Sequence, residues 1–460
     1  MGEAEEDVTD VRMIVYESLL ECEKGDTPPG IIGREMLEKY AYLEKQQRKF
    51  MHCLYEGVID KTITLDYVID SVSKTPVMKM KKPVRCIIRM GAYQILFMNS
   101  VPDRAACNEA VSLAKRKHLG NLSGFINGVL RSLCRLEGNI IYPDISEDPV
   151  MHMSVRYSMP RTILESLISD YGENRTLQIM MNLESDRPVF ARTQLSKIGT
   201  EELIRRLNRN ENVQVHAAKG VDGFEFDKMD QLGDIAEFTD GLFTIQDPSS
   251  QLVGLIAGYK RGDTVVDVCA APGGKSMHAG DILTCIAEED SGRVISCDVS
   301  EGKLERIEDN IRRLGLKNIE TRLRDGRYET PDLYGKADVV ICDAPCSGLG
   351  IMGRKRDIKY GLKTEDFESL ENLQREIIRS SVLLLKKGGT FIYSTCTMRK
   401  GENDFQFKYI EEELGLEPVN FYDELPEPYK DETAKKGYIQ LFAGEKETDG
   451  FFISKFHTRA

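Results

Sequence analysis

The chain has 460 residues, 41% apolar and 30% charged, which is material for about two to four globular domains. No apolar run reaches the ~18 residues of a membrane span, and the acidic start MGEAEEDVTD has no apolar segment behind it, so a cytoplasmic protein without a membrane partner is expected. The net charge of −13 counts against a nucleic-acid partner only as an average: residues 74–135 hold twelve Lys or Arg against two acids, while residues 401–450 hold fourteen acids against five lysines.

Residues 8–138 read as helical throughout. Apolar stripes at helical spacing run through Val11, Ile14, Val15, Leu19 and Cys22, then Phe50, Cys53, Leu54 and Val58. Two more run through Val84, Ile87, Ile88 and Ile95, and through Phe125, Ile126, Val129, Leu130 and Leu133. Gly25, Pro28-Pro29-Gly30, Pro76, Pro83 and Gly120 separate them. The pattern predicts a helical bundle over residues 1–140. Lys115, Arg116 and Lys117 close one of its helices, where cations suit the helix dipole and can meet a polyanion. Eleven cysteines without a CxxC fit neither a disulfide framework nor a zinc site, and no metal is expected. Cys22, Cys53, Cys86, Cys107 and Cys134 read as small buried apolar side chains.

Residues 139–150, with Pro143 and Pro149, read as a linker. A small α/β domain is expected over 150–240: a helix from Pro160, a strand Val189–Thr193, a helix Thr200–Leu207 capped by Thr200, and a strand Val213–Val215. From 241 to 460 the texture changes. Strand-like runs at Thr264–Val268, Val294–Cys297, Ile319–Leu323, Asp338–Cys342 and Thr390–Ser394 alternate with helical runs at Ser276–Leu283, Lys303–Leu314 and Glu365–Leu385. That alternation predicts a doubly wound, Rossmann-like α/β sheet, whose ligands sit at the carboxyl ends of the strands.

At that edge lies Ala270-Ala271-Pro272-Gly273-Gly274-Lys275, a glycine turn between strand and helix that is neither GxGxxG nor a P-loop. Asp298 ends the second strand and suits ribose hydroxyls; Asp325 follows the third and suits an adenine amine. With no phosphate-binding arrangement, S-adenosylmethionine fits better than a dinucleotide. Asp343 and Cys346 leave the fourth strand and Cys396 leaves the fifth. In a sheet of order 3-2-1-4-5 these strands are neighbours, so two thiols can meet over one base. A thiolate adding to carbon 6 of a pyrimidine makes carbon 5 nucleophilic; an acid near N3 and a base for release complete the scheme. A free thiol, of pKa ~8.5, is a few per cent ionised at pH 7, and a cation such as Lys275 raises that fraction. The residues themselves leave open which cysteine attacks.

These stretches resemble the Sun (NOL/NOP/Sun) family of RNA cytosine-5 methyltransferases, and more narrowly its bacterial RsmB type. The matching residues are DVCAAPGGK (267–275), DVS (298–300), RDG (324–326), DAPCSGLG (343–350), YSTCT (393–397), GEN (401–403) and DGFF (449–452). The resemblance implies a class I methyltransferase domain preceded by a NusB-like RNA-binding bundle and a small RRM-like α/β domain. It implies methylation of carbon 5 of a cytosine in small-subunit ribosomal RNA, of the cytosine-967 type; a monomer is expected. It makes Cys396 the nucleophile, gives Cys346 the release role, and places the cofactor on Cys269, Ala270, Ala271, Pro272, Gly273, Gly274, Lys275, Asp298, Asp325 and Asp343. The basic loop after DAPCSGLG implies RNA contacts from Arg354, Lys355, Arg356 and Lys359, although Arg356 stands where the family usually has proline. Ala443-Gly444-Glu445 replace a proline and histidine often found before DGFF, which bears on a substrate-side contact. Three other readings remain: another RNA as substrate, a DNA cytosine methyltransferase attacking through Cys346, and a non-catalytic RNA-binding assembly factor.

Overall fold

The computed structural model describes residues 10–459 except Asp186, Asp230 and Glu288. They fall into two compact units: the chain up to Met181 together with Arg354–Gly361, and Asn182–Gly353 together with the chain from Leu362 on. Among the described residues no helix is long and apolar enough to cross a membrane.

The first unit is helical: Val11–Cys22, Pro29–Lys39, Lys45–Asp60, Thr62–Val72, Lys82–Phe97, Asp103–Arg116 and Ser123–Cys134. The helix Lys82–Phe97 buries Val84, Cys86, Ile87, Ile88, Met90 and Ala92, apolar on nearly every side, and so runs through the core. Of its cations Arg85 is buried and Arg89 half-buried. Arg89 reaches Asp66 at 2.6 Å and Glu23 at 2.8 Å, and Arg85 also pairs with Glu23. The cation count of this region therefore overstates its exposed basic face. Cys53 is exposed rather than buried, a correction to the expected stripe: the buried set is Met51, Leu54, Tyr55 and Val58, and Cys53 lies one step off it.

Three further helices, Pro149–Tyr157, Arg161–Tyr171 and Glu173–Glu184, follow. Up to Met181 they belong to the first unit. Thr64 Oγ1 donates to Val155 O (2.6 Å) and Ile63 N to Ser158 Oγ (3.0 Å), which pins these helices to the bundle. Pro149, read as a linker residue, occupies the first turn of its helix, where the missing N–H costs nothing. Arg354–Gly361 also packs here. Lys359 Nζ lies 2.8 Å from Asp60 Oδ1, Tyr360 OH donates to Asp60 O (2.8 Å), and Gly30 N donates to Asp357 Oδ2 (2.8 Å).

In the second unit, β1 (Val189–Thr193), β2 (Gln214–Ala217), β3 (Gly223–Lys228) and β4 (Phe243–Ile245) form an antiparallel sheet of order β2-β3-β1-β4. A helix, Thr200–Leu207, joins β1 to β2, and a short one, Ala236–Thr239, joins β3 to β4, giving the split βαβ arrangement. Phe224 and Phe243 meet edge to face over its core. Gly199, not Thr200, holds the cap position of the longer helix; Thr200 Oγ1 instead donates to Thr193 Oγ1 (3.0 Å). Because β4 pairs with β1, the small sheet runs past the expected limit of 240.

The second sheet of this unit contains β5 (Thr264–Asp267), β6 (Arg293–Asp298), β7 (Ile319–Leu323), β8 (Ala337–Asp343) and β9 (Leu385–Thr395), parallel and in the order β7-β6-β5-β8-β9. It is completed by β10 (Glu417–Pro418), β11 (Tyr438–Leu441) and β12 (Phe451–His457); β12 is antiparallel to β9 and carries β10 and β11 on its other edge. Alternate side chains cover opposite faces. Val266, Val340 and Phe391 pack with Ile377 and Ile378 of the helix Thr364–Val382. Val265, Val339 and Ile392 pack with Leu252 and Val253 of Pro248–Ile256 and with Ala279 and Leu283 of Gly274–Ile286. Both faces are buried, which is why the strands read as unbroken apolar runs.

Candidate active site

Strand register brings the chemistry to one edge. Asp267, Asp298 and Asp343 close β5, β6 and β8, and Asp343 lies opposite Ser394 on β9. Beyond β5 the chain turns through Gly273, at φ +104°, into the helix Gly274–Ile286. A side chain there would be strained, and at Gly274 a Cβ would meet nothing closer than Gln246 Nε2 at 3.6 Å, so the turn leaves open space beside its backbone.

Asp298 is nearly fully buried. Its Oδ2 accepts from Ala271 N (2.9 Å), and its Oδ1 accepts from Val299 N (2.7 Å) and lies 2.9 Å from Lys303 Nζ. Of about four lone-pair sites on a carboxylate, three are taken, which leaves one for a hydroxyl. Asp267 accepts from Ser276 Oγ (2.7 Å), while its Oδ1 is buried without a partner; burial pushes its pKa up to about 7. These acceptors and the open glycine turn fit a ligand rich in hydroxyl and amine groups. Asp325 is brought to the same edge, but Arg327 grips both its oxygens (2.6 and 3.0 Å), and this hydrogen bonding holds the carboxyl below its usual range. Burial and the nearby Asp267 and Asp298 push the Cys269 thiol upward, so it remains a neutral thiol beside the turn.

The two thiols named from the sequence meet. Cys346 Sγ and Cys396 Sγ are 3.3 Å apart, both are free, and both are partly exposed. The hydrogen bond to Cys396, then burial, then the charges of Cys396 and Glu402 push the Cys346 thiol well upward. Cys346 is therefore favoured as the neutral thiol of the pair. Beside them Asp343 Oδ1 accepts from Ser394 Oγ (2.7 Å) and Oδ2 lies 2.6 Å from Lys275 Nζ. Lys275 is thus committed to Asp343, not to a cysteine.

The basic residues fare unevenly. Lys115, Arg354 and Lys355 are exposed. Arg116 pairs with Asp10 (2.5 Å), Lys117 with Glu17 (2.7 Å) and Arg356 with Asp60 (3.2 Å). Lys359 departs from expectation: it is 3% exposed and its ammonium satisfies Asp60, so it is a structural cation and offers nothing to a phosphate. Sequence reasoning gives no role to Asp267, Ser394 or Glu402, although all three stand in the quoted motifs; only their burial and hydrogen bonds reveal what they do. Among the described residues no group of three or more His, Cys, Asp or Glu side chains is arranged to hold a metal ion.

A parallel 3-2-1-4-5 sheet extended by an antiparallel strand, with a glycine turn after its first strand and an acid ending its second, defines a class I S-adenosylmethionine-dependent methyltransferase. A family model described as 16S rRNA methyltransferase RsmB/F matches residues 256–457, and one for the NusB family matches residues 11–135. A protein of Bacillus subtilis (strain 168) named "Probable ribosomal RNA small subunit methyltransferase B" is 33% identical, covering 97% of this chain and 98% of its own. Ribosomal RNA small subunit methyltransferase B of Escherichia coli O127:H6 is 30% identical over 87% of this chain and 88% of its own. Among solved structures, that of PH0851 has a TM-score of 0.78 at 21% identity and spans 97% of this chain and 98% of its own. A methyltransferase homologue from Pyrococcus horikoshii has a TM-score of 0.56 at 25% identity, over 68% and 99%. The chain belongs to the ribosomal RNA small subunit methyltransferase B family, the RsmB type. It is an S-adenosylmethionine-dependent methyltransferase of small-subunit ribosomal RNA.

Proposed function

We propose that the protein methylates carbon 5 of a cytosine in 16S ribosomal RNA, of the cytosine-967 type, in the cytoplasm and as a monomer, through a covalent bond from Cys396 to carbon 6. The observation that carries this is the pair of free thiols 3.3 Å apart at neighbouring strand ends, beside Asp343. S-adenosylmethionine supplies an electrophilic methyl group when bound. The chain's residues do the rest. Cys396, as thiolate, adds its electron pair to carbon 6, and the charge pushed onto the ring is met at N3 by a hydrogen bond that Lys275 Nζ donates, its ammonium being held by Asp343. Carbon 5 thereby gains the electron density to take the methyl group. Its proton then passes to solvent water, the electron pair returns to the ring as the carbon 6–sulfur bond breaks, and Cys396 leaves as a thiolate to which the Cys346 S–H, 3.3 Å away, donates a hydrogen bond. The backbone from Cys269 to Lys275, with Asp298 and Asp325, holds the cofactor, and Lys115, Arg354 and Lys355 offer charge to phosphates.

Bisulfite sequencing of ribosomal RNA from cells with and without the gene tests this reading. One protected cytosine in 16S ribosomal RNA should disappear with the gene and return with the wild-type copy; an unchanged pattern overturns it. For the cofactor, Asp298→Ala should weaken S-adenosylmethionine binding about 10- to 100-fold, the worth of a hydrogen bond to a charged group. RNA affinity should stay within about twofold. Calorimetry with each ligand separates the two; equal losses would mean a folding defect.

A further inference from the structure

Glu402 is fully buried. Its carboxylate accepts from Ser347 Oγ (2.6 Å), Ser347 N (2.8 Å), Gln374 Nε2 (3.1 Å) and Arg399 Nη1 (3.3 Å). Gln374 Nε2 also donates to Pro345 O (2.9 Å), so the residues on either side of Cys346 are gathered on one anion and its neighbour. The Cys396 side is tied to the same junction. Thr397 Oγ1 lies 2.7 Å from Ser347 Oγ, Asn403 Nδ2 donates to Thr397 O (3.1 Å), and Tyr393 OH donates to Glu402 O (2.6 Å). Gly350 N donates to Cys396 O (2.9 Å); a Cβ at Gly350 would fall 1.8 Å from Gly450 O, so this approach excludes any side chain. Arg399, shared with Glu371 at 3.1 Å, is the one cation in salt-bridge range of Glu402 among the described residues.

We propose that Glu402 is a positioning residue for the methyl-transfer reaction: it fixes the two cysteine-bearing loops against each other and so sets the separation of the thiols. This rests on the two-cysteine chemistry proposed above. A buried carboxylate with four donors holds a loop more stiffly than packing alone, because each charge-assisted bond is strong in a dry site and each donor would be stranded without it. Glu402 also adds its charge to the other causes that keep Cys346 protonated.

The test uses the full-length protein and a readout independent of methylation. Diamide oxidises two adjacent thiols to a disulfide, forming the S–S bond as both sulfhydryl protons and two electrons pass to the diazene, which becomes a hydrazine. The rate of Cys346–Cys396 disulfide formation, followed by peptide mass spectrometry, is therefore a ruler for their separation. Glu402→Ala should slow it about tenfold or more and lower kcat for rRNA methylation about 10²-fold, the cost of an ångström-scale misplacement. KM for RNA and the affinity for S-adenosylmethionine should hold within about twofold. Glu402→Gln, which still accepts from Ser347 N, should restore most of both rates. Ser347→Ala, which deletes the hydroxyl of the same junction, should shift both rates in the same direction and supplies the test if Glu402→Ala does not fold. Unchanged disulfide formation in Glu402→Ala, or in Ser347→Ala where only that folds, overturns the positioning role. A slowed disulfide rate in a protein whose wild type makes no 5-methylcytosine would overturn the chemistry and leave the positioning role standing.

Discussion

Cys346→Ala, incubated with S-adenosylmethionine and small-subunit ribosomal RNA, should accumulate a protein–RNA adduct that survives denaturing electrophoresis, whereas Cys396→Ala should form none. Both variants should lose turnover, on the order of 10⁴-fold or more, as expected when one member of a concerted catalytic pair is removed. The asymmetry follows from the proposed roles. Without Cys396 nothing adds to carbon 6, so no covalent species exists to trap. Without Cys346 the addition and methyl transfer proceed, and the methylated base stays bound to Cys396 because release has lost its partner. The geometry supports the assignment, since Cys346 is the thiol pushed upward by its hydrogen bond to Cys396, by burial and by Glu402, with its Sγ 3.3 Å from Cys396 Sγ. An adduct with Cys396→Ala and none with Cys346→Ala would reverse the roles and place the enzyme with those that attack through the Pro-Cys cysteine.

Much of this site is legible in the sequence because its parts lie at the ends of strongly apolar strands. A five-strand alternation with helices fixes the order of strand ends, and a 3-2-1-4-5 order alone puts Cys346 and Cys396 next to each other. The bounds expected for β7 match, those for β5 differ by one residue at one end and those for β6 and β8 by one at each end, while β9 begins at Leu385, five residues before the expected Thr390. What stays hidden has a common cause. β4 has three residues and β10 two, and strands of that length carry too little periodicity to register. That the first compact unit runs on to Met181 is hidden because prolines signal a break in a helix, not which core the next helix joins. Lys359 reads in sequence like its basic neighbours, and only the tertiary placement of Asp60 shows that its charge is consumed inside the protein. Glu402 is visible as part of a matched motif with no stated role, since a buried hydrogen-bond hub has no signature in spacing.

The second large effect should come from Asp343→Asn. The amide keeps the shape of the side chain and the contact to Ser394, and loses the negative charge that faces Lys275 at 2.6 Å. As Cys396 adds to carbon 6, negative charge builds on the ring, and the stabilisation at N3 comes from a hydrogen bond donated by Lys275, whose ammonium Asp343 holds in place. Removing it should lower kcat about 10³-fold, within the range for a positioned acid–base group. Adduct formation should fail as well, because the missing help acts on the addition step. That distinguishes Asp343 from Cys346: the double variant Asp343→Asn/Cys346→Ala should trap little or no RNA. The same substitution strands the ammonium of Lys275, 10% exposed, beside a neutral amide. Breaking a buried ion pair from one side typically costs about 3–5 kcal/mol, but Asp343 is 31% exposed, so a loss of about 1–3 kcal/mol is expected in urea unfolding. Lys275→Met combined with Asp343→Asn should recover part of that stability without recovering activity, because the pair's structural cost and its chemical use reside in the same two charges.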